Sequence, residues 1–368
     1  MNISRVIVFI MALFMVAGGL DKIAGNRFGL GREFENGFHA MGPLALTMIG
    51  ITSLSPLLGT FIASATTAFA ARTGIDPAMA PALLIPIDTG CYPLAQAITN
   101  DAAIADFAAL IVASMSGASV TFSVPVALSL IDKKDYPVMA LGTMAGFIAM
   151  PAGCLIGGLV MGLPVLTALR NLLPVLAFAL ILAAGLYLFT DRTIRGFVWF
   201  GKGIVVLITL VLIAAGYQEI TGVTIIPGLA PLTDSFEILG SIAIMLAGAY
   251  PMVFIIRKGL KHPLRRISGR LGVNDTAAIG FLTSLANNVP MMEMVREMDE
   301  KGKVMNFAFA TCAAFTLGDH LGFCSAAAPD RVAAMVCGKL SGGVLAAVIG
   351  GLLWSRKTAA EKAGSSVG

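Results

Sequence analysis

Charged residues are scarce in this chain. Asp, Glu, Lys and Arg make up 12% of its 368 residues, against 57% hydrophobic residues, whereas soluble domains carry about twice that charged fraction. The mean hydropathy of +0.87 is correspondingly high. The basic residues fall in short segments between apolar runs, which excludes the clustered basic surface of a nucleic-acid-binding protein. The composition therefore indicates an integral membrane protein whose surroundings are a lipid bilayer.

Signatures of metal, redox and enzyme chemistry are also missing. The five cysteines form no C-x-x-C pair, and the three histidines are too scattered to suggest a metal site. The chain contains no H-E-x-x-H, no G-x-S-x-G and no P-loop. We therefore expect no metal ion, no cofactor and no enzymatic activity. The cysteines all lie in apolar runs, so we interpret them as small core residues.

Long apolar runs follow one another along the whole chain, with only short polar segments between them. A helix needs about 20 apolar residues to cross a bilayer. The candidate segments are 6–20, 40–70, 78–98, 102–131, 137–161, 166–190, 196–217, 236–256, 277–294, 304–327 and 332–354. The pattern predicts an all-α polytopic membrane protein that forms a single integral membrane domain.

Two of these segments are interrupted in the middle by polar and helix-breaking residues. Segment 78–98 contains Asp88 between two prolines, and segment 277–294 contains Asn287 and Asn288 just before a proline. Irregular backbone is tolerated at membrane depth only where it is buried in protein or lines a cavity. Broken segments at corresponding places in two halves mark the binding site of a transporter. The sequence therefore predicts a carrier of a small polar molecule.

The distribution of Lys and Arg predicts how the segments are oriented. If every segment crossed the membrane, basic loops would lie on both sides, against the rule that they stay in the cytoplasm. If the two interrupted segments are re-entrant or broken helical hairpins, nearly all the basic loops lie inside. Only Arg72 and Arg331 then remain outside. We prefer this arrangement, in which the two halves of the chain run in opposite directions.

The predicted orientation divides the chain into two inverted repeats. Repeat one covers about residues 1–162, a connector helix about 163–191, and repeat two about 192–355, with a short cytoplasmic tail at 356–368. Inverted repeats place a binding site at the midplane, where the hairpin tips meet. Short motifs recur in the same order in both halves: Phe34-Glu35 and Phe236-Glu237, Gly74-Ile-Asp76 and Gly272-Val-Asn274, and Gly142-Thr-Met-Ala-Gly146 and Gly338-Lys-Leu-Ser-Gly342.

The interrupted segments supply the first candidate site residues. A carboxylate at bilayer depth costs at least about 2.5 kcal/mol, which makes Asp88 a functional candidate. The alternative is that Asp88, with Thr89 beside it, only caps the following half-helix. Asn287 and Asn288 offer neutral donors and acceptors. Their alternative role is to satisfy the backbone of the broken helix.

A second acidic position lies in segment 304–327, where Asp319 and His320 are adjacent. Neighbours on a helix are about 100° apart, so we expect Asp319 to face the pathway and His320 to brace the fold; a buried polar network is the alternative. Ser116 could bind substrate or its own helix, and the ring of Tyr92 could face a cation or only pack. Lys339 could balance a carboxylate or extend toward the interface.

Several stretches of this chain resemble the ethanolamine-utilisation permease family, EutH. They run in order from Phe34-Glu-Asn-Gly-Phe-His-Ala-Met-Gly42 through Asp88-Thr-Gly90, Phe122-Ser-Val-Pro-Val-Ala-Leu128, Ile226-Pro-Gly-Leu-Ala-Pro231, Gly248-Ala-Tyr-Pro-Met252, Leu285-Ala-Asn-Asn-Val-Pro-Met291, Gly302-Lys-Val304 and Gly318-Asp-His-Leu-Gly-Phe323 to Gly338-Lys-Leu-Ser-Gly-Gly343. His39 and Glu293 depart from the family pattern, which has uncharged residues there, and the connecting loops are shorter. The resemblance implies a bacterial inner-membrane permease for ethanolamine, which feeds a pathway that often runs inside a protein microcompartment.

The resemblance agrees with the chemistry of the candidate residues. Ethanolamine is a small cation with one hydroxyl, so its site needs a carboxylate or aromatic face and a neutral hydrogen-bond partner. We predict facilitated alternating access; the alternative is a proton-coupled symporter of ethanolamine or a related amine, using Asp319 or His320. A lipid-headgroup enzyme and a structural anchor are other possibilities, and a homo-oligomer is compatible with the sequence. The predicted substrate-binding residues are Asp88, Thr89, Asn287, Asn288, Asp319, His320, Ser116 and Tyr92.

Overall fold

Helices form the structured part of this protein. The computed structural model describes the backbone of residues 3–365 and the side chains of residues 3–260 and 268–360. That part contains helices and no strand, and eight of its helical runs are long and apolar enough to cross a membrane. The predicted all-α, multi-pass class is confirmed. Residues 366–368 of the predicted cytoplasmic tail lie outside the described residues.

The first half begins with three helices and continues with an interrupted segment. The helices are α1 (Ile3–Ile23), α2 (Leu30–His39) and α3 (Met41–Thr73). The first hairpin, residues 79–98, consists of α4 (Met79–Ala82), a 3-10 turn (Ile87–Thr89) and α5 (Cys91–Ile98). The first broken helix, Ala102–Leu130, contains α6 (Ala102–Asp106), α7 (Ser116–Ala118) and α8 (Val124–Leu130), joined by wide π-helical turns. It leads to α9 (Tyr136–Val160).

The second half repeats this order after α10 (Val165–Leu188) and α11 (Thr190–Thr221). The long helix α12 (Leu232–Leu271) includes residues 257–270, which the sequence suggested were a loop. The second hairpin, residues 275–297, consists of α13 (Asp275–Ala286), α14 (Asn288–Glu293) and a 3-10 turn (Met294–Glu297). The second broken helix, residues 300–327, consists of α15 (Glu300–Ala313) and α16 (Asp319–Ala327), and α17 (Val332–Ser365) follows.

Side chains at the base of each hairpin join its two ends. In the first, Asp76 accepts a hydrogen bond from the Thr99 hydroxyl at 2.6 Å. In the second, the Asn274 amide donates to the Glu297 carbonyl at 2.8 Å. Each interrupted segment therefore returns to the end of the molecule at which it began. Neither hairpin is among the candidate spans.

Two ion pairs show that the broken helices run in opposite directions. Asp106, near the start of the first, lies 2.8 Å from Arg331, just after the end of the second. Lys303, near the start of the second, lies 2.8 Å from Asp135, just after the end of the first. Because each hairpin base adjoins the start of its own broken helix, the hairpins enter from opposite ends. That the halves are inverted repeats, with the boundaries given above, stays a prediction.

The two helices that follow the broken helices, α9 and α17, pack directly on each other through glycines. A Cβ at Gly153 would lie 2.8 Å from the Gly338 carbonyl oxygen and 2.8 Å from the Gly342 Cα. Larger residues would hold the backbones apart, so the small residues spaced four apart permit this contact, as in other membrane helix pairs.

In each half, a residue at the break in the broken helix forms a hydrogen bond with a backbone carbonyl of the hairpin. The Ser116 hydroxyl donates to the Leu83 carbonyl of the first hairpin at 2.7 Å. In the second half, the Phe315 amide donates to the Ser284 carbonyl at 2.9 Å. A backbone group freed by a break has no water to bind inside a bilayer, so irregular backbone survives only with partners of this kind.

The hairpin arrangement predicts which positions can be labelled from each side. Single cysteines replacing Thr73 and Asn100, which flank the first hairpin, should react with an impermeant maleimide from one face. A cysteine replacing Glu297 should react only from the other face, because its hairpin enters from the opposite end. All three side chains are exposed, and exposed Cys337 would first be replaced by Ser. Labelling of positions 73 and 100 from different faces would contradict a re-entrant first hairpin.

Candidate substrate cavity

A cavity of about 410 Å³ lies where the hairpin breaks approach the start of α16. Five of the eight predicted site residues line it: Asp88, Thr89, Asn287, Asp319 and His320. The other polar lining residues are Asn36, His39, Thr47 and Tyr250, and the aromatic ones are Phe122 and Phe315. Positions distant in sequence are thus brought to one polar chamber inside an apolar helix bundle.

The turn that presents Asp88 is shaped by the residues on either side of it. Pro86 has extended backbone and ends the preceding segment, and Gly90 takes a left-handed conformation with φ 111° before α5 begins. A Cβ at Gly90 would come within 2.8 Å of the Ile51 side chain on α3, so a larger residue would lift the turn off that helix. Among the described side chains, no Lys, Arg or His lies within ion-pair distance of Asp88, so its charge is available to a ligand.

Asp319 is the first residue of α16, directly after the break in the second broken helix. Phe315 turns the chain in that break with a left-handed φ of 60°. The Tyr250 hydroxyl on α12 donates a hydrogen bond to Asp319 Oδ1 at 2.5 Å. The amide groups at a helix N-terminus also favour a negative charge. In the described part of the chain Asp319 has no basic partner either.

His320 lines the same cavity as Asp319, although the helical spacing of neighbours suggested different faces for the two residues. The prediction assumed two neighbours inside a continuous helix. The helix instead begins at Asp319, and the cavity spans its first turn. His320 is buried beside Phe315, with 5.3 Å between the ring centroids. Within the described residues, its Nδ1 has no hydrogen-bond partner.

The two asparagines of the second hairpin have different positions. Asn287 caps the short helix α14 by accepting from the Val289 amide at 2.8 Å, and it lines the cavity. Asn288 is fully buried outside the cavity and donates to the Ser123 hydroxyl at 3.0 Å. Asn288 therefore ties the second hairpin to the first broken helix through a side-chain bond.

Two further predicted residues also lie away from the cavity. Ser116 uses its hydroxyl on the Leu83 carbonyl. Tyr92 packs edge-on against Phe323 with 6.0 Å between ring centroids, and its hydroxyl is 3.5 Å from the Ala327 carbonyl oxygen. Ser116 thus holds the first broken helix against the first hairpin, and Tyr92 holds the first hairpin against α16. Neither side chain contributes to the cavity surface.

Tyr250 is one of the polar lining residues that the sequence did not indicate. It lies in the motif Gly248-Ala-Tyr250-Pro251, where a hydroxyl-bearing ring inside an apolar run could have marked it. Asn36 was missed as well, and its amide donates to Glu33 at 3.2 Å. No local pattern indicated Asn36, because the short polar helix α2 has the composition of a loop between two membrane-spanning segments.

A second cavity of about 310 Å³ adjoins the first one. The two share Asn36, Tyr250 and Asn287, and the second is also lined by Glu33 and Arg257. The central cavity therefore continues toward the basic end of α12. The orientation predicted from the loop charges places this end on the cytoplasmic side.

Replacing Tyr250 with Phe should weaken the binding of a small cation in this cavity about tenfold, in line with about 1.5 kcal/mol for a hydrogen bond to a charged group. The change removes the hydroxyl that orients Asp319 and leaves the ring in place. Binding titrations on the purified protein would measure the effect. Tyr187→Phe is the matched control, because Tyr187 is 75% exposed and does not line the cavity. Unchanged affinity in Tyr250→Phe would show that the hydroxyl does not position Asp319.

Together, the candidate spans, the paired hairpins and the acidic cavity at the helix breaks define a multi-pass membrane protein of the transporter class. Residues 3–353 match the family model described as "Ethanolamine utilisation protein, EutH", and the chain belongs to that family. Membership indicates a transporter rather than an enzyme.

Curated relatives support the same assignment. The chain is 44% identical to "Probable ethanolamine permease EutH" of Listeria monocytogenes, over 99% of this chain and 97% of that protein. It is 37% identical to the protein of the same name from Salmonella typhimurium, over 98% of each chain. It is also 40% identical to "Uncharacterized protein YxeR" of Bacillus subtilis, over 94% of each chain. No solved structure matches this chain.

Proposed function

We propose that this protein is a permease that carries ethanolamine across the bacterial inner membrane by facilitated alternating access. One observation carries the proposal: the central cavity holds two carboxylates, Asp88 and Asp319, that have no cationic partner among the described residues. Unpaired carboxylates at this depth are costly and are expected to bind a cation. The names of the relatives supply the substrate.

The cavity offers a partner for each part of ethanolamine. The ammonium would lie between Asp88 and Asp319, where its N–H groups donate to carboxylate oxygens. The substrate hydroxyl would bond to Asn287 or Thr89, which are neutral and can both donate and accept. The rings of Phe122 and Phe315, whose centroids are 5.7 Å apart, would cover the methylene groups. The two carboxylates would then select for an ammonium group, and Asn287 or Thr89 would select for a hydroxyl group.

Alternating access would use the antiparallel broken helices. The two hairpins enter from opposite ends, so moving one half against the other would open the cavity to one face and close it to the other. The adjoining second cavity supports an arrangement that is open toward the cytoplasm. An inner-membrane location is supported by the helical spans, because single-chain proteins of bacterial outer membranes are β-barrels.

Proton-coupled symport is the second candidate mechanism. It is favoured by the buried His320, whose Nδ1 has no partner in the described part of the chain, next to the carboxylate of Asp319. Intramembrane acid and imidazole groups can relay protons. In this mechanism a proton would enter with the substrate, and uptake would follow the pH gradient.

Uptake of labelled ethanolamine into proteoliposomes, with and without an imposed pH gradient, would test the proposal. Facilitated transport predicts uptake down the ethanolamine gradient that stops at equal concentrations and needs no pH gradient. Accumulation above the outside concentration, only when the outside is acidic, would establish symport instead. Uptake no faster than in protein-free liposomes would refute the proposed function.

A further inference from the structure

The candidate cavity does not account for Lys339, a lysine in the middle of α17. Its side chain is 1% exposed, which makes it one of the largest fully buried side chains in the described part of the chain. It lies in Gly338-Lys-Leu-Ser-Gly342, whose glycines pack on α9. Lys339 does not line the cavity. A buried charge is expensive unless it has a role or a partner, so its contacts need an explanation.

The Lys339 ammonium is held at the break in the first broken helix. Lys339 Nζ donates a hydrogen bond to the Ser114 carbonyl oxygen. In a regular helix that carbonyl would accept from the Ala118 amide, but the Ala118 amide bonds to Ala113 instead. The break thus frees the Ser114 carbonyl oxygen, and the Lys339 ammonium donates a hydrogen bond to it. Unwound carbonyls of this kind bind the coupling cation in transporters built on broken helices.

The break that holds the ammonium also packs against the turn that presents Asp88. A Cβ at Gly117, three residues after Ser114, would lie 2.3 Å from the Ile85 carbonyl oxygen and 2.8 Å from the Pro86 nitrogen. Asp88 follows two residues later and lines the cavity together with Asp319. Lys339 therefore places a positive charge behind the cavity wall, where it would offset part of the negative charge that the substrate would otherwise have to neutralise alone.

We propose that Lys339 is a tethered counter-cation that lets the unloaded carrier change conformation. The proposal rests on the proposed transport of ethanolamine. With substrate bound, the positive charges of Lys339 and ethanolamine balance those of Asp88 and Asp319. Without substrate, Lys339 leaves a single net negative charge. If Lys339 were absent, the unloaded site would hold both carboxylates uncompensated, and moving them through the low-dielectric interior would be slow.

A counter-cation and a purely structural lysine lead to different transport defects when Lys339 is removed. A carrier without Lys339 but with substrate bound has the same net charge as the unloaded native carrier, which does change conformation. Transport steps that involve only the substrate-loaded carrier should therefore still occur when Lys339 is removed. Net uptake needs the empty carrier to return, whereas exchange of labelled for unlabelled ethanolamine across the membrane does not.

The test compares net uptake and exchange in proteoliposomes for the native protein and two variants. Lys339→Thr copies Thr143, a buried residue at the corresponding place in the Gly142-Thr-Met-Ala-Gly146 motif of α9, and it removes the charge. Lys339→Arg keeps the charge. Thermal melting in detergent confirms that each variant is folded, and Thr143→Ser serves as the control for a change at the equivalent position.

Lys339→Thr should lower net uptake at least about tenfold, the effect of about 1.4 kcal/mol on a barrier, while exchange stays near the native rate. Lys339→Arg should recover part of the net uptake. Equal losses of net uptake and exchange in a folded Lys339→Thr variant would overturn the proposal, and so would unchanged net uptake. If Lys339→Thr does not fold, Lys339→Arg decides: loss of its net uptake together with its exchange would also overturn it. Exchange in the native protein tests the proposed function separately, since its absence would refute transport itself.

Discussion

Replacing Asp88 with Asn is expected to reduce ethanolamine uptake at least about 30-fold while leaving the amount of folded protein unchanged. The substitution keeps the size of the side chain and removes its charge. An ammonium would then face an amide in a water-poor cavity, and truncating one partner of a buried charge pair costs about 2 kcal/mol or more. Transport assays in proteoliposomes, normalised to protein content, would measure the loss.

The turn around Asp88 should tolerate the change. Pro86, with extended backbone, and the left-handed Gly90 shape this turn, and the substitution changes neither residue. Asp191→Asn is the matched control, because Asp191 is exposed at the start of α11. The Asp191→Asn variant should transport ethanolamine at the native rate. Native rates in Asp88→Asn would show that Asp88 does not bind the substrate, and a parallel loss of folded protein would make it a structural cap.

Replacing Lys303 with Met is expected to lower the free energy of unfolding by about 3–5 kcal/mol, the usual effect of removing one partner of a buried ion pair. Lys303 Nζ lies 2.8 Å from Asp135 and 2.6 Å from Glu300. The side chains of Lys303 and Asp135 are only 6% and 2% exposed. Removing the ammonium leaves the Asp135 carboxylate buried without its partner, and the second broken helix loses its tie to the start of α9.

Denaturant titration of the purified protein in detergent would measure this effect. Lys134→Met is the control, since Lys134 is 72% exposed and lies 3.8 Å from Asp132; exposed pairs of this kind contribute little to stability. Similar stability of the two variants would contradict the role assigned to Lys303. If the Lys303→Met protein is less stable but its folded fraction still exchanges ethanolamine normally, Lys303 stabilises the fold and has no role in the cavity.

The positions of the breaks could be predicted from sequence because they depend on local chemistry. Prolines and a carboxylate inside an apolar run interrupt a helix wherever the rest of the chain lies, so the pattern located Asp88 and Asn287. The loop charges likewise indicated hairpins that return to their own side, and the contacts between Asp76 and Thr99 and between Asn274 and Glu297 agree with this.

The direction of side chains near the breaks could not be predicted in the same way. Asn287 and Asn288 are adjacent and equally polar, yet only Asn287 lines the cavity, because α14 begins between them. Asp319 and His320 were expected on different faces of one helix, yet both line the cavity, because a break that contains the left-handed Phe315 separates α15 from α16. Tyr250 reaches Asp319 across 69 positions in sequence, and a single sequence contains no signal for that contact.

The central claim is that the cavity recognises ethanolamine by its charge and its hydroxyl together. Calorimetric titration of the purified protein with ethanolamine, ethylamine and ethylene glycol tests this most directly, since the second lacks the hydroxyl and the third lacks the ammonium. We predict one ethanolamine bound per chain, weaker binding of ethylamine and no detectable binding of ethylene glycol, with ethanolamine binding lost in Asp88→Asn. Equal binding of ethylene glycol and ethanolamine, or ethanolamine binding that Asp88→Asn leaves unchanged, would contradict the account.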